Sequence, residues 1–167
     1  MEHYTELVHR SKLGDADAFS KLYETIYRDL YRFALYTLKN SCDAEDVVSD
    51  AVMDAWQSIR SLRKAESFRA WIFKILTNKC RMRLKQYLNK TAELPEDLVS
   101  DSQDICQNLD VRTAFASLQE EERLILALNI FGGYSSKEIG LTLNLSDNTV
   151  RSKQSRALKK LQVCLAK

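Results

Sequence analysis

An interruption in the apolar pattern, between about residues 88 and 108, constrains the fold of this chain more than any other feature. Apolar residues recur at helical spacing on both sides of it, whereas the segment itself holds the only proline, Pro95, and a run of acids. This composition is typical of an extended, solvated linker. The chain is therefore predicted to form two small helical domains, over residues 1–88 and 109–167, joined by a flexible acidic linker at residues 89–108.

Residue usage favours an all-α fold, because helix formers dominate and only four glycines are present. No apolar run approaches the roughly 18 residues that span a bilayer, and the polar amino terminus lacks the apolar stretch of a signal peptide. We therefore expect a cytosolic protein with no membrane contact of its own. The four cysteines stand far apart with only two histidines, so we expect neither a metal site, nor a disulfide framework, nor a cofactor.

Charge is segregated along the chain, although the formal net charge is only +2. Residues 41–59 hold five acids and no base, and residues 60–90 hold ten bases against one acid. Residues 91–110 hold six acids and no base, and residues 134–167 hold seven bases against two acids. The basic blocks favour a nucleic acid partner, whereas the acidic blocks would repel phosphate. At least one further partner is therefore expected.

The first acidic block is predicted to lie on a helix that is capped by Asp43 and follows a long amphipathic helix over about residues 15–39. The polar side of the acidic helix, here called the acidic face, comprises Asp46, Asp50, Met53, Asp54 and Gln57. A flexible thioether flanked by carboxylates suits a protein-binding surface. Single exposed apolar side chains are also common, so an ordinary solvated face is the alternative.

The next basic block is predicted to lie on a helix over about residues 67–86. Four polar residues at helical spacing form what we call the basic ribbon: Lys74, Asn78, Arg81 and Lys85. Backbone phosphates are its expected ligand, and a solvated face is the alternative. Trp71 lies on the apolar side of this helix, so we expect it to pack in the core rather than to stack on an unpaired base.

The second domain is predicted to begin near Leu109. Ser117 followed three residues later by Glu120 has the spacing of a capping box. A helix is therefore predicted from this point to Gly132 and Gly133, where two glycines favour termination.

Two short helices joined by a tight turn are predicted near the carboxyl end of the chain. Ser135 and Glu138 form a capping box for the first, Asn144 ends it, and Ser146 is expected to cap the second. The apolar side of the second helix comprises Val150, Ala157, Leu158 and Leu161. Its polar side, here called the reading face, comprises Asn148, Thr149, Arg151, Ser152, Ser155, Arg156 and Lys159. This is the outline of a DNA-binding helix-turn-helix, and a helical hairpin with a solvated basic face is the alternative.

Three segments carry motifs in a specific order. They read DAEDVVSDAVMDAW over residues 43–56, FRAWIFKILTN over residues 68–78, and SKEIG with NTVRSKQSRA over residues 136–140 and 148–157. The first is similar to a core-polymerase-binding segment, the second to the helix after a promoter-melting loop, and the third to a carboxy-terminal helix-turn-helix. The chain thus resembles the extracytoplasmic-function (ECF) group of bacterial RNA polymerase sigma factors over essentially its whole length.

This resemblance implies a non-enzymatic factor that binds core RNA polymerase and directs it to a narrow set of promoters. It implies that the acidic face docks on the clamp helices of the largest polymerase subunit. It implies that the loop at residues 61–67 and the basic ribbon capture the melted minus-ten element, with these contacts: Arg63, Lys64, Lys74, Asn78, Arg81 and Lys85. The reading face would lie on the minus-thirty-five element, and an anti-sigma factor is a further implied partner.

Three features depart from the pattern common in this family. The melting loop reads Leu62, Arg63 and Lys64, where an aromatic and a small residue are frequent. Gly140 stands where alanine is common, and Gln154 stands at an inner position where an aliphatic residue is usual. A buried Gln154 must find hydrogen-bond partners, or the helix must be rotated or frayed beyond it.

Other classes of protein fit parts of the pattern. A one-component helix-turn-helix regulator, the main alternative, would use the same basic helix but would also need an effector pocket or a dimer interface. A purely protein-binding helical module would not need the basic ribbon, and a chromatin-like architectural protein is a further possibility. The hypothesis that the chain is an enzyme has no support, because the sequence shows no paired carboxylates or nucleophile–base pair at useful spacing.

Overall fold

The computed structural model of the chain describes residues 2–89 and 109–166, and every regular element in these ranges is helical. The first domain comprises α1 (Glu2–Lys12), α2 (Ala16–Leu38), α3 (Ser41–Ser58), two 3-10 turns (Ile59–Ser61 and Ala65–Ser67) and α4 (Phe68–Asn89). The second comprises α5 (Leu109–Ala116), α6 (Glu120–Ile130), α7 (Ser136–Leu143) and α8 (Asp147–Leu165). The predicted class, all-α with two helical domains, is confirmed. The predicted linker, apart from Asn89 at the end of α4, lies outside the described residues.

The core of the first domain forms where α2 packs against both α3 and α4. Phe33 of α2 and Phe73 of α4 are fully buried and meet edge to face, with ring centroids 5.7 Å apart. Small residues of α3, Ala51 and Ala55, are also fully buried and allow close approach of the helices. Each buried aromatic ring contributes about 1.5 to 3 kcal/mol through the hydrophobic effect. Within the described ranges, no helix combines the length and the apolarity needed to cross a membrane.

Local capping explains where α2 and α3 begin, with one correction. Asp15 caps α2 by accepting a hydrogen bond from the backbone of Ala18, as expected for a helix over about residues 15–39. The prediction that Asp43 caps α3 was wrong. Asn40 is the cap and accepts from the backbone N–H of Asp43 at 2.9 Å. The Asp43 carboxylate instead accepts hydrogen bonds from two residues of α4, Arg83 and Tyr87.

The start of α6 also differs from the prediction. The hydroxyl of Ser117 donates to the carbonyl of Ala114 at 2.7 Å, so it serves the end of α5 and is not available to cap α6. The helix begins two residues later with Gln119 as its cap, whose backbone N–H donates to the Glu122 carboxylate at 3.2 Å. The helix itself was predicted, but its capping pair was assigned wrongly.

The helix-turn-helix is confirmed as a structure. Ser135 and Glu138 make the reciprocal capping-box bonds, and these hydrogen bonds lower the pKa of the Glu138 carboxyl. Asn144 ends α7 in the left-handed region at φ 59°, which asparagine tolerates better than most residues. Ser146 caps α8 by accepting from the backbone N–H of Thr149 at 3.1 Å. Each of these bonds lies within a few residues along the chain, which is why sequence reasoning identified them.

The buried side of α8 is narrower than predicted. Val150, Ala157 and Leu161 are buried, whereas Leu158 is 47% exposed, so its assignment to the apolar side was wrong. Leu158 follows Ala157 directly and therefore points about 100° away from the buried line. Gln154 is half-buried rather than enclosed. Because its side chain reaches solvent, water can hydrogen-bond the Gln154 amide, and buried protein partners are not required.

Gly140 has a steric role in the helix-turn-helix. The backbone N–H of Leu145 donates to the Gly140 carbonyl at 2.8 Å, and a Cβ on residue 140 would lie 2.6 Å from the Leu145 carbonyl oxygen. Contacts this short require backbone movement. The glycine therefore allows the turn between α7 and α8 to close tightly.

We expect Gly140→Ala to lower the free energy of unfolding by about 1 to 2 kcal/mol, because overpacking outweighs the gain in helix propensity. Urea denaturation of the full chain measures this change. Leu141→Ala is the matched control, since Leu141 lies in the same helix and is 85% exposed. If Gly140→Ala stabilised the chain, as alanine does at ordinary helical positions, the turn would not depend on this glycine.

The two domains pack against each other through aromatic side chains. Tyr36 of α2 stacks on Phe131 at a centroid distance of 5.3 Å and lies 4.8 Å from the ring of Phe115. Buried residues of the second domain, including Ile125 and Leu128, join the same apolar cluster as the core of the first. The domains thus share part of their core in this arrangement.

Polar contacts reinforce this interface between the domains. Arg69 of α4 donates to the Phe131 carbonyl at 2.6 Å and forms an ion pair with Asp29 at 2.8 Å. The hydroxyl of Tyr134 donates to the Ala70 carbonyl, and burial raises the pKa of Tyr134 to about 12. The segment between α6 and α7 is therefore bonded directly to the first turn of α4.

Candidate functional site

The acidic face of α3 is solvent-exposed at every predicted position. Met53 is 60% exposed between carboxylates, which is an uncommon position for a large apolar side chain. Asp54 forms an ion pair with Lys79 of α4 at 2.6 Å, and Asp46 lies 4.0 Å from Arg83. Asp50 makes no ion pair within the described residues. The uncompensated charge of this surface is therefore centred on Asp50.

The loop between the two 3-10 turns exposes its basic tip. Leu62 and Ala65, which flank the tip, are buried in the core of the first domain. Arg63 and Lys64 at the tip are exposed. The fold thus presents two basic side chains on a short segment anchored at both ends.

The basic ribbon lies on the exposed side of α4, where all four of its residues are accessible. The other bases of the middle of this helix, Lys79 and Arg83, turn towards α3 and pair with Asp54 and Asp43. The ribbon residues Lys74, Arg81 and Lys85 form no ion pair in the described part of the chain. Helix packing therefore separates the structural bases of α4 from those available to a ligand.

A groove separates the exposed basic loop from the second domain. Its lining includes Arg63 and Lys64 of the loop, Trp71 and Lys74 of α4, and Leu141 of α7. Trp71 is half-buried and contacts the core through Phe68, at a centroid distance of 6.0 Å. The tryptophan thus packs at the edge of the core, as predicted, and also borders the groove.

The reading face of α8 is exposed except for Thr149, which is half-buried and takes part in the helix cap. Two other bases of α8 hold the helix against α6: Lys153 pairs with Glu121, and Lys160 pairs with Glu122 at 2.8 Å. The hydrogen bond from Lys160 lowers the pKa of the Glu122 carboxyl. The same separation into structural and accessible bases therefore occurs in both domains.

Arg151 is held in position at the start of the reading face. Its Nε lies 3.2 Å from the Asp147 carboxylate and donates to the Ser136 hydroxyl at 3.3 Å. A hydrogen bond from Ser136 and the charge of Arg151 both lower the pKa of Asp147. Because these contacts use Nε, the two terminal nitrogens of Arg151 stay available for a bidentate contact to a base edge.

Sequence reasoning missed two residues that organise these surfaces. Lys12 at the end of α1 donates from Nζ to the Leu62 carbonyl at 2.8 Å. Arg69 links α4 to α2 and to the second domain. Both contacts join residues at least 40 positions apart, so no local spacing signalled them.

Comparison with protein families agrees with this geometry. Residues 22–91 match sigma-70 region 2, and residues 108–161 match sigma-70 region 4. The ECF RNA polymerase sigma factor SigM of Mycobacterium tuberculosis is 30% identical over 160 residues, covering 93% of this chain and 81% of SigM. The RNA polymerase sigma factor SigV of Bacillus subtilis is 28% identical over 143 residues, covering 84% of this chain and 86% of SigV.

Solved structures show the same fold. The sigma factor RpoE of Bartonella quintana, crystallised with the anti-sigma factor NepR, has a TM-score of 0.73 and 25% identity, covering 89% of this chain and 96% of RpoE. CnrH, in complex with the cytosolic domain of CnrY, has a TM-score of 0.69 and 24% identity, covering 98% and 97% of the two chains. The family matches and the fold together define a sigma-70-type transcription initiation factor.

The chain belongs to the ECF family of RNA polymerase sigma factors. It binds core RNA polymerase and directs promoter-specific initiation of transcription, and sigma factors are not enzymes. A one-component regulator is not favoured.

Proposed function

We propose that three separate surfaces divide the work of this sigma factor. The acidic face of α3 docks on the clamp helices of the largest polymerase subunit. The loop tip and the basic ribbon hold the melted minus-ten element, with Asn78 at the base pocket. The reading face of α8 contacts the minus-thirty-five element in the major groove. Residues 1–88 thus carry the first two tasks and residues 109–167 carry the third.

The observation that supports this division is where the charged side chains that form no ion pair lie. Asp50 on α3, Lys74, Arg81 and Lys85 on α4, and Arg156 and Lys159 on α8 are exposed and form no ion pair within the described residues. Other charges of the same helices are used for packing. Charges that are exposed and unpaired steer oppositely charged partners.

Transcription in vitro tests the function directly. Core polymerase is incubated with genomic DNA fragments, with and without the chain, and the 5′ ends of the transcripts are mapped. We expect discrete start sites only when the chain is present. The isolated chain should bind the same promoter duplexes weakly, since its two DNA-reading surfaces must both be positioned before their contacts add. A nanomolar footprint by the chain alone, unchanged by core polymerase, would instead support a regulator.

Simultaneous contact with both promoter elements requires the domains to separate. The two elements lie roughly 25 base pairs apart, or about 85 Å of duplex. A compact chain of 167 residues has a radius of gyration of only about 15 Å. We therefore propose that the packed arrangement is that of the free chain and that the interface around Tyr36 opens when promoter DNA and polymerase are bound.

Tyr36→Ala is expected to weaken this interface by about 1 to 3 kcal/mol, because it removes two aromatic contacts. Small-angle scattering of the free chain should give a larger radius of gyration than for the parent. Tyr23→Ala is the matched control, since Tyr23 is also half-buried on α2 but contacts Tyr27 rather than the second domain. An unchanged radius for Tyr36→Ala would show that the stacked tyrosine does not hold the domains together.

An anti-sigma factor is a further partner in this proposal. The similar sigma factor RpoE was crystallised with one. Binding of such an inhibitor would keep the chain from core polymerase until a signal releases it. We also place the chain in the cytoplasm, where polymerase and promoter DNA are found.

A further inference from the structure

One contact joins the end of α1 to the basic loop. Lys12 is the last residue of α1, and its Nζ donates to the backbone carbonyl of Leu62 at 2.8 Å, across 50 positions of sequence. The lysine is half-buried. A hydrogen bond from a charged donor is stronger than one between neutral groups. Lys12 is therefore held to one defined backbone atom.

The bonded carbonyl occupies a critical place in the loop. Leu62 is 5% exposed and its N–H donates to the Ile59 carbonyl at 3.1 Å, so the residue is fixed on its amino-terminal side. On the other side, the N–H of Ser67 donates to the Lys64 carbonyl at 3.1 Å. Because a peptide group is planar, fixing the Leu62 carbonyl also fixes the orientation of the Arg63 N–H and the direction in which the tip leaves the core.

Among the described residues, the acid nearest to Lys12 in sequence is used by another base. Arg10 and Asp15, on either side of it in sequence, pair with each other at 2.6 Å. Lys12 forms no ion pair within the described residues. Its charge therefore serves the loop backbone rather than a carboxylate.

We infer that Lys12 is a positioning residue for the minus-ten element, acting through the loop that carries Arg63 and Lys64. This inference rests on the proposed role of that loop. Lys12 sets the orientation of the tip, and the tip then discriminates between bases of the melted strand. Helix α1, which carries none of the residues proposed to contact bases, thereby contributes to promoter selectivity.

The test uses holoenzyme assembled from core polymerase and the full chain. Its binding is measured to single-stranded oligonucleotides that carry each base in turn at every position of the minus-ten element. Lys12→Met keeps most of the aliphatic stem but removes the donor. We expect its discrimination between the best and second-best base to fall by about fivefold to tenfold at one or two positions. Lys12→Arg should retain most of the preference, because a guanidinium can donate to the same carbonyl.

Lys21→Met controls for loss of a positive charge, because Lys21 is exposed on α2, and we expect parental behaviour from it. If Lys12→Met weakens binding equally for all bases and lowers the salt slope by about 0.7, as loss of one phosphate contact to a single strand does, Lys12 contacts phosphate and the inference is wrong. A lower thermal midpoint with intact base preference would likewise overturn it, in favour of a purely structural role.

The proposed function of the loop can fail separately. If the parental holoenzyme showed no base preference at any position of the element, the role of the loop would be wrong, and the inference would fail with it. If the parent discriminates and Lys12→Met discriminates equally well, only the inference fails.

Discussion

Asp50→Lys is expected to reduce the affinity of the chain for core RNA polymerase by about tenfold to a hundredfold, because it places a like charge against a basic docking surface. Asp50 is the cleanest probe of the acidic face, since it is exposed and makes no ion pair within the described residues. Asp54→Lys would set two lysines against each other, because Asp54 pairs with Lys79. Equilibrium titration of labelled chain with core polymerase at moderate salt measures the effect.

The matched control for this substitution is Glu24→Lys, which makes the same charge change at an exposed site on α2. We expect it to bind core polymerase with nearly parental affinity. Circular dichroism should show that both variants keep the helical fold. Parental affinity in Asp50→Lys would remove the acidic face from the polymerase interface, whatever the control does.

Arg151→Ala is expected to cost about 1 to 3 kcal/mol of holoenzyme binding on promoters with the preferred upstream element, if the arginine makes a bidentate base contact. The side chain is exposed and its Nε is tethered to Asp147 and Ser136, so its terminal nitrogens are presented with little loss of conformational freedom. On promoters that carry a substitution at the one or two bases contacted by Arg151, the variant and the parent should bind equally well. Competition binding with a panel of single-base variants measures both effects.

Lys159→Ala provides the comparison on the same helix. Lys159 is exposed and is expected to contact phosphate, so its loss should weaken binding by a similar factor on every variant and lower the salt slope by about 1. If Arg151→Ala also weakened all variants equally, Arg151 would be a phosphate contact. The minus-thirty-five preference would then have to be carried by other residues of the reading face.

Most helices of this chain follow from short-range chemistry and were therefore predictable, although no helix was predicted for the residues of α1. The Ser135–Glu138 box, the αL residue Asn144 and the cap Ser146 use bonds that span three or four residues. Two capping predictions failed for a related reason. Asp43 and Ser117 have the right chemistry for a cap, but α4 uses the first, and the end of α5 uses the second. Neighbouring structure decided which of several suitable donors or acceptors was available.

The candidate surfaces were only partly predictable. Charge blocks and helical spacing predicted exposed acidic and basic faces on α3, α4 and α8, and the structure exposes nearly all of those residues. The sequence did not reveal that Lys79 and Lys153 serve packing, as they pair with Asp54 and Glu121. Ion pairs between helices depend on how the helices cross, which local spacing does not encode.

The sequence by itself determined most of the helices, the two-domain class and the family, because periodicity, capping and motif order are properties of nearby residues. Only the tertiary structure decided that Tyr36 and Arg69 join the domains and that Lys12 holds the loop at Leu62. These contacts connect residues 50 to 95 positions apart. They form because packing of α2, α4 and α6 brings distant backbone and side chains together, and that packing is a property of the whole chain rather than of any one segment.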